Sequence, residues 1–402
     1  MIAVCSPAVP LALDGQVLDA PIRLAEGTAR AADLAATWRR FAPAARRAGI
    51  TRIAELTGLD TIGIPVFSAI RPMGRSLSTQ QGKGATAEAA RVSALMESLE
   101  TWSAEHLVLP VVRASWRRLG ERAIDAGRLP RPRGRLDRDA RWRWVEGTDL
   151  AADRAVLVPE QAVTLDTVFR APPVFDVSSN GLASGNALVE AIAHGLCEVI
   201  ERDAEAAWRR AGSDRRLVLD TITDADPVCR ALIERIVAAG ARVYVWDLVD
   251  PARPVAPGVA VIGAAIMEDP AEPAWRTLGF YQGFGAHWRP EIAIARALTE
   301  AAQTRLTYIA GARDDFFPRD YARATDPALL AALWQRFSAP CDEPVAFDDL
   351  PQLAAATLGD ALDQLVAGQR QVVVVDLTHP AIGVPVVKVL VPGRATDIGA
   401  MG

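Results

Sequence analysis

Residues 186–202 place the tightest constraint on what this 402-residue chain can fold into, because a helix apolar enough to be buried carries a row of carboxylates. The preceding stretch SSNGLASGN is turn-rich, and an apolar helical run begins at about Ala187 with Asn186 at its predicted N-cap. At about 100° per residue, Asn186, Glu190, Glu198 and Glu201 fall within about a quarter-turn of one another. Ile192, Leu196, Val199 and Ile200 lie on the other side. Like charges in such a row repel, so the stripe predicts a cation among them, and hard oxygen donors favour magnesium over zinc. A solvated acidic face is the competing reading. Two further acidic helices with the same glycine-rich approach weigh against it.

The second stripe lies on a helix predicted over 87–107, where Ser93, Glu97 and Glu100 recur at i, i+4 and i+7. A long polar loop is predicted ahead of it, containing Gly82-Lys83-Gly84, and a glycine-flanked lysine at a helix start is a candidate phosphate contact. It is not a P-loop, whose first glycine would fall at Leu77. The third stripe, Arg296, Glu300 and Gln303, follows GFGAHWRP on a helix over 291–310. Carboxylates from two helices, Lys83, Arg202 and Arg296 together describe a nucleotide–magnesium site, in which metal ions bridge phosphate oxygens and cations neutralise developing charge. No Ser/His/Asp constellation competes, and no GxGxxG follows a strand.

Composition narrows the classes further. A net charge of −5 argues against nucleic acid as partner. The four cysteines form no CxxC pair and read as reduced thiols of a cytoplasmic protein. The four histidines have no zinc-ligand spacing, and His194 reads as a satisfied core histidine. The N-terminus lacks the pattern of a signal peptide, and no run reaches membrane-spanning length. Of 44 basic residues only Lys83 and Lys388 are lysine, which marks both as places where a guanidinium does not serve.

In chain order, residues 1–30 read as irregular and 31–48 as an amphipathic helix. Strands are predicted over 51–56, 61–70, 241–249, 259–267 and 276–282, with a hairpin from RWRWVEGTDL and RAVLVPEQAV. Trp142 and Trp144 read as sheet-face packing, and Arg131 to Arg135 as a solvated basic loop. Helices over 226–239, 327–337 and 354–368 and the strands QVVVVDL and VPVVKVLVP complete one α+β unit with mixed sheets, packed helices and a weak two-lobed subdivision.

The motifs GKGATAEAARVSALMESLE, SSNGLASGNALVEAIAHGLCEVIERDA and ARALTEAAQTR resemble the three ATP-binding motifs of the YcaO superfamily, and the likeness runs from about residue 46 onward. The resemblance implies a YcaO-type ATP-binding α+β fold, usually dimeric, with residues 1–45 as a leading segment and 46–402 as the catalytic domain. It implies magnesium carboxylates at Glu97, Glu100, Glu190, Glu198 and Glu201, and nucleotide contacts from Lys83, Ser93, Asn186, Arg202, Arg296 and Glu300. The implied chemistry is ATP-dependent phosphorylation of a peptide amide oxygen, followed by nucleophilic attack on the activated carbon.

The stretch ITRIAELTGLDTIGIPVFSAIRPMGRSLSTQQGKG is similar to YcaO proteins that act beside a TfuA protein, where sulfide is the nucleophile and a precursor peptide gains a thioamide. Azoline-forming cyclodehydratases use a substrate Cys, Ser or Thr instead and typically end in a proline-rich tail, whereas this chain ends VPGRATDIGAMG. No peptide-recognition domain is fused on, so a partner is expected for leader binding. A non-catalytic ATP- or peptide-binding scaffold is the rival from another class, and the intact stripes weigh against it. No catalytic thiol is expected, since Cys197 points about 100° away from Glu198 on the same helix.

Overall fold

Three β-strands each run directly into one of the three acidic helices, and this repeated unit positions everything else. Thr79–Lys83 leads into Ala87–Glu105, Leu182–Ser184 into Leu188–Ala211, and Tyr281–His287 into Pro290–Ala310. The computed structural model describes residues 11–13, 15–25, 27–131, 135–168, 174–251, 256–271, 279–341 and 343–395. The glycine-rich approaches expected to be loops are therefore largely strand. Their glycines serve close packing: a Cβ on Gly82 would sit 1.9 Å from the Ala94 backbone nitrogen, and one on Gly283 would sit 2.2 Å from that of Ala301. In these two units the helix lies so close on its own strand that only a hydrogen fits between them.

The strands form three sheets of three or more strands. Arg52–Glu55, Val66–Ile70 and Thr79–Lys83 make one, in register Val66 with Lys83 and Ile70 with Thr79. Arg242–Asp247, Ala260–Met267 and Tyr281–His287 make the second. The third runs Arg154–Pro159, Arg141–Asp149, Val373–Asp376, Val386–Leu390 and Leu182–Ser184, with Val112–Ser115 also on Arg141–Asp149. The α+β class is as the pattern predicts. Ladders between the described strands are antiparallel, and parallel pairing is confined to the isolated bridges Ala123–Leu157 and Leu217–Val345. The predicted hairpin pairs Arg154 with Asp149 through Pro159 with Trp144. Trp144 is fully buried and Trp142 packs against it at 5.6 Å between rings.

The apolar side of Leu188–Ala211 is the centre of the core. Ile192, Leu196, Val199 and Ile200 meet Val387 and Val389 of one sheet and Val261, Phe284 and Ala286 of another. This helix is thus sandwiched, which is why its sequence is apolar everywhere except along the glutamate stripe. Two buried ion pairs fix its neighbours. Arg71 grips Glu105 through two bonds of 2.8 and 2.9 Å at the end of Ala87–Glu105. Arg305, from Pro290–Ala310, reaches Asp60 at 2.8 Å and Glu268 at 2.7 Å and so ties that helix to the 3-10 turn Thr57–Leu59 and to the residue that follows Ala260–Met267.

Several predicted boundaries shift for local reasons. The helix expected over 31–48 spans Leu34–Phe41 and then tightens into a 3-10 turn, Ala42–Ala44, around Pro43. The strand expected over 61–70 pairs only over Val66–Ile70, because Gly63 has φ 73 and Pro65 cannot donate to a ladder. Ala187, not Asn186, is the N-cap of the central helix. The strand placed over 276–282 falls partly outside the described residues, as do Pro132 to Gly134 and Cys5; the described strand is Tyr281–His287. Residues 11–30 are less irregular than expected, since they hold the hairpins Ala12–Leu13 with Gln16–Val17 and Arg23–Ala25 with Thr28–Arg30. Among the described residues no helix is long and apolar enough to cross a membrane.

Gly283→Ala should lower stability by about 1–3 kcal/mol, because backbone atoms cannot yield to the new methyl. Gly58→Ala, whose new methyl would meet nothing within 4 Å, should change it by less than about 0.5 kcal/mol. Urea unfolding of both variants checks the difference, and equal losses would contradict the close-packing role.

Candidate functional site

All of the sequence-predicted site residues line a single cleft of about 940 Å³: Lys83, Ser93, Glu97, Glu100, Asn186, Glu190, Glu198, Glu201, Arg202, Arg296 and Glu300. The three strand–helix units bring them together. The carboxylates then divide by how their charge is met.

One group is paired. Lys83, at the end of its strand, forms an ion pair with Glu300. Arg202 stands 3.9 Å from Glu300, 3.7 Å from Glu201 and 2.9 Å from Glu205. Glu201 also accepts the Ala286 N–H at 2.9 Å, which joins the central helix to the strand ahead of the Glu300 helix. Burial pushes the Glu300 carboxyl upward, but the Lys83 and Arg202 charges hold it below its usual range. Glu201, more deeply buried, is raised by desolvation.

The other group is unpaired. Glu97, Glu100 and Glu198 make no ion pair among the described residues. Burial raises Glu198 to about 7. It raises Glu100 well above its usual range, with Glu97 and Glu198 adding to the rise. Glu97 is exposed to the cleft, and desolvation raises it to about 7 against the pull of Lys83 and Arg313. As they stand, no three described His, Cys, Asp or Glu side chains are grouped as a ready metal cage. Crowded carboxylates that hold protons for want of counter-charge are nevertheless the donor set that a hard divalent cation suits.

Glu190 and Asn186 behave differently from the rest of the stripe. Glu190 is only 4% exposed, and its oxygens accept from Arg30 at 3.4 Å, the Ala31 N–H at 3.0 Å and the Asn186 N–H at 3.1 Å. Asn186 in turn accepts from the Thr37 hydroxyl at 3.0 Å. These contacts close the leading segment over one end of the cleft. Nothing in the local sequence around Arg30, Ala31 or Thr37 signals this role, because their partners lie about 150 residues away. Lys388 is signalled by rarity alone. It is 3% exposed and donates to the Ser178 carbonyl. Burial lowers it to about 8 although Glu198 and Glu100 favour its charge. His194 does not sit satisfied in the core, for its Nδ1 has no partner among the described residues while its Nε2 stands 2.9 Å from Arg296. Cys197 is buried and its thiol is raised to about 12, so it is inert as a nucleophile at neutral pH.

With this geometry in place, known proteins can be set beside the chain. The family model described as YcaO cyclodehydratase, ATP- and Mg2+-binding, matches residues 81–395. An uncharacterized protein in the tfuA 3′ region of Rhizobium leguminosarum bv. trifolii is 38% identical over 381 residues, covering 92% of this chain and 89% of that protein. The structure of YcaO from Methanopyrus kandleri bound with AMPPCP and Mg2+ is 27% identical with a TM-score of 0.73, over 94% of this chain and 95% of that one. A heterocyclase in complex with substrate and cofactor shares the fold at 22% identity and a TM-score of 0.75, over 96% of this chain and 55% of that one. The match across most of its length shows that this chain belongs to the YcaO family.

Proposed function

We propose that this protein is an ATP- and magnesium-dependent enzyme that activates a backbone amide oxygen of a ribosomally made precursor peptide, with sulfide as nucleophile and a thioamide as product. The observation that supports the reading is the divided cleft, with a lysine and two arginines set against one row of carboxylates and a second row that makes no ion pair among the described residues. Glu97, Glu100, Glu198 and Glu201 would hold magnesium, and Glu190 would brace the leading segment beside them. Lys83, Arg202 and Arg296 would orient phosphate oxygens, with Ser93, Asn186 and Glu300 lining the nucleotide's bed. ATP, when bound, supplies the phosphoryl group that turns the amide oxygen into a leaving group. The thioamide branch draws on the relative in the tfuA 3′ region, and a TfuA-like partner and a homodimer in the cytoplasm complete the proposal.

Glu201→Gln or Glu198→Gln should reduce ATP turnover about 10- to 100-fold or more while leaving the fold intact, as loss of a tuned metal carboxylate implies. Lys83→Ala should raise the apparent ATP requirement about tenfold or more, matching a charge-assisted contact of ~1.5–3 kcal/mol. Wild-type kinetics in all three variants would refute the assignment of the cleft.

The pH dependence follows from Glu198. Its carboxyl is raised to about 7 on folding. A raised carboxyl therefore favours the folded protein fully below about pH 4.5 and loses that contribution as pH climbs through about 7. Metal ligands must be ionised, so magnesium–nucleotide stabilisation grows over the same interval. Thermal melts should show the cation-free protein weakening between about pH 5.5 and 8, and the gain from Mg–ATP increasing. A gain that shrinks with pH would place the cation elsewhere.

Product mass decides the branch. With ATP, magnesium, sulfide, precursor peptide and any required TfuA partner, the peptide should gain the difference between sulfur and oxygen. Cys197→Ala should do the same, since the thiol is buried and protonated. Loss of water at a Cys, Ser or Thr would instead establish azoline formation, and absence of any ATP turnover would establish a scaffold.

A further inference from the structure

Behind the cleft lies a chamber of about 40 Å³, and Arg30, Glu190, His194 and Arg296 wall both spaces. Arg296 Nη1 stands 2.9 Å from His194 Nε2. A guanidinium can only donate, so Nε2 accepts and the proton of the neutral ring resides on Nδ1. Burial first, and then the Arg296 and Arg30 charges, keep that ring neutral by driving its pKa well down. His194 Nδ1–H is shielded from solvent and has no partner among the described residues, and Arg296 Nε–H is in the same condition. His287, also on the wall, accepts the Arg289 N–H at Nδ1 over 3.0 Å, so its own proton is on Nε2.

Two N–H groups of residues on this wall, His194 Nδ1–H and Arg296 Nε–H, are thus without an acceptor among the described residues. Glu190, its carboxylate, is already engaged by Arg30, Ala31 and Asn186. A water molecule would bring two further donors to a wall whose carboxylate is spoken for, whereas an anion only accepts. The space is too small for a nucleotide. Cys197 and Trp288 complete the wall with a polarisable thiol and indole.

We propose that this chamber binds a small monovalent anion and that, if the thioamide reading above holds, the anion is hydrosulfide held beside the cleft for attack. Its sulfur forms the bond to the carbon of the O-phosphorylated, N-protonated amide as the carbon–oxygen bond breaks. The oxygen leaves with its electron pair in inorganic phosphate, which takes up the S–H proton. What remains is the thioamide. His194 is a positioning residue in this scheme, since it holds the nucleophile and exchanges no proton with substrate.

The test uses crystals of the full-length protein soaked in sodium bromide, with bromide located by anomalous scattering. The expected result is a peak within hydrogen-bond reach of His194 Nδ1 and Arg296 Nε. It should vanish in His194→Leu and persist in His194→Gln, whose amide can accept from Arg296 and still donate into the chamber. In the thioamidation assay, bromide should raise the apparent KM for sulfide. His194→Leu should raise that KM about tenfold while the KM for ATP stays within about twofold, as loss of one donor to a charged ligand implies. Water alone in the chamber at high bromide overturns the anion site, even if His194→Leu fails to fold. Bromide competition with ATP instead of sulfide, or a His194→Leu effect confined to ATP, overturns the hydrosulfide assignment. A bromide peak in a wild-type protein that makes no thioamide supports the anion site and overturns only its link to sulfide.

Discussion

Repulsion among Glu97, Glu100 and Glu198 is the constraint on which the rest of the structure depends. Charges gathered below a protein surface without counter-charge cost several kcal/mol each unless they hold protons or a cation. Desolvation pushes the proton affinity of all three upward, so protonation offsets part of that cost when no cation is present. A loose scaffold would relieve the strain by letting the helices part. Here the central helix is pinned between two sheets by Ile192, Leu196, Val199 and Ile200, and its neighbours are held by Arg71–Glu105 and by Arg305 with Asp60 and Glu268. The buried ion pairs are remote from the unpaired carboxylates, yet they keep those carboxylates close.

The same helices set up an opposite condition a turn or two away. Lys83, Arg202 and Arg296 come from three different units and converge near Glu201 and Glu300. Cation-rich and anion-rich walls thus face each other in one cleft without neutralising each other. Backbone contacts help to hold the arrangement, with Glu201 on the Ala286 N–H and Glu300 on the Phe284 N–H. A polar environment fixed in advance of binding has no reorganisation to make when charge develops.

Much of this was legible in the residues. The spacing of the acidic positions at helical period against an apolar background identified the three helices, the cleft-facing stripes and the α+β class, because amphipathic period is a local property. The purpose of the glycines was not legible. GKG and GFG suggest loops cradling a ligand, whereas Gly82, Gly283 and Gly285 admit a helix backbone onto a strand. Both uses need the missing side chain, and only the partner across the gap distinguishes them.

The sequence by itself determined which side chains share a helical face, that the charges on those faces repel, and that the chain carries YcaO motifs. Tertiary structure decided how each charge is met. Glu190 and Glu201 stand on one stripe with the same local signature, yet one binds the leading segment through Arg30 and Ala31 and the other joins an opposing strand. His194 reads as an ordinary core histidine until Arg296 arrives from 102 residues away to fix its proton and leave Nδ1 without an acceptor. Periodicity records what a residue presents along its own helix. Counter-charge, proton position and the shape of a cavity are set by residues distant in the chain, and those meet only when the sheets have closed around the central helix.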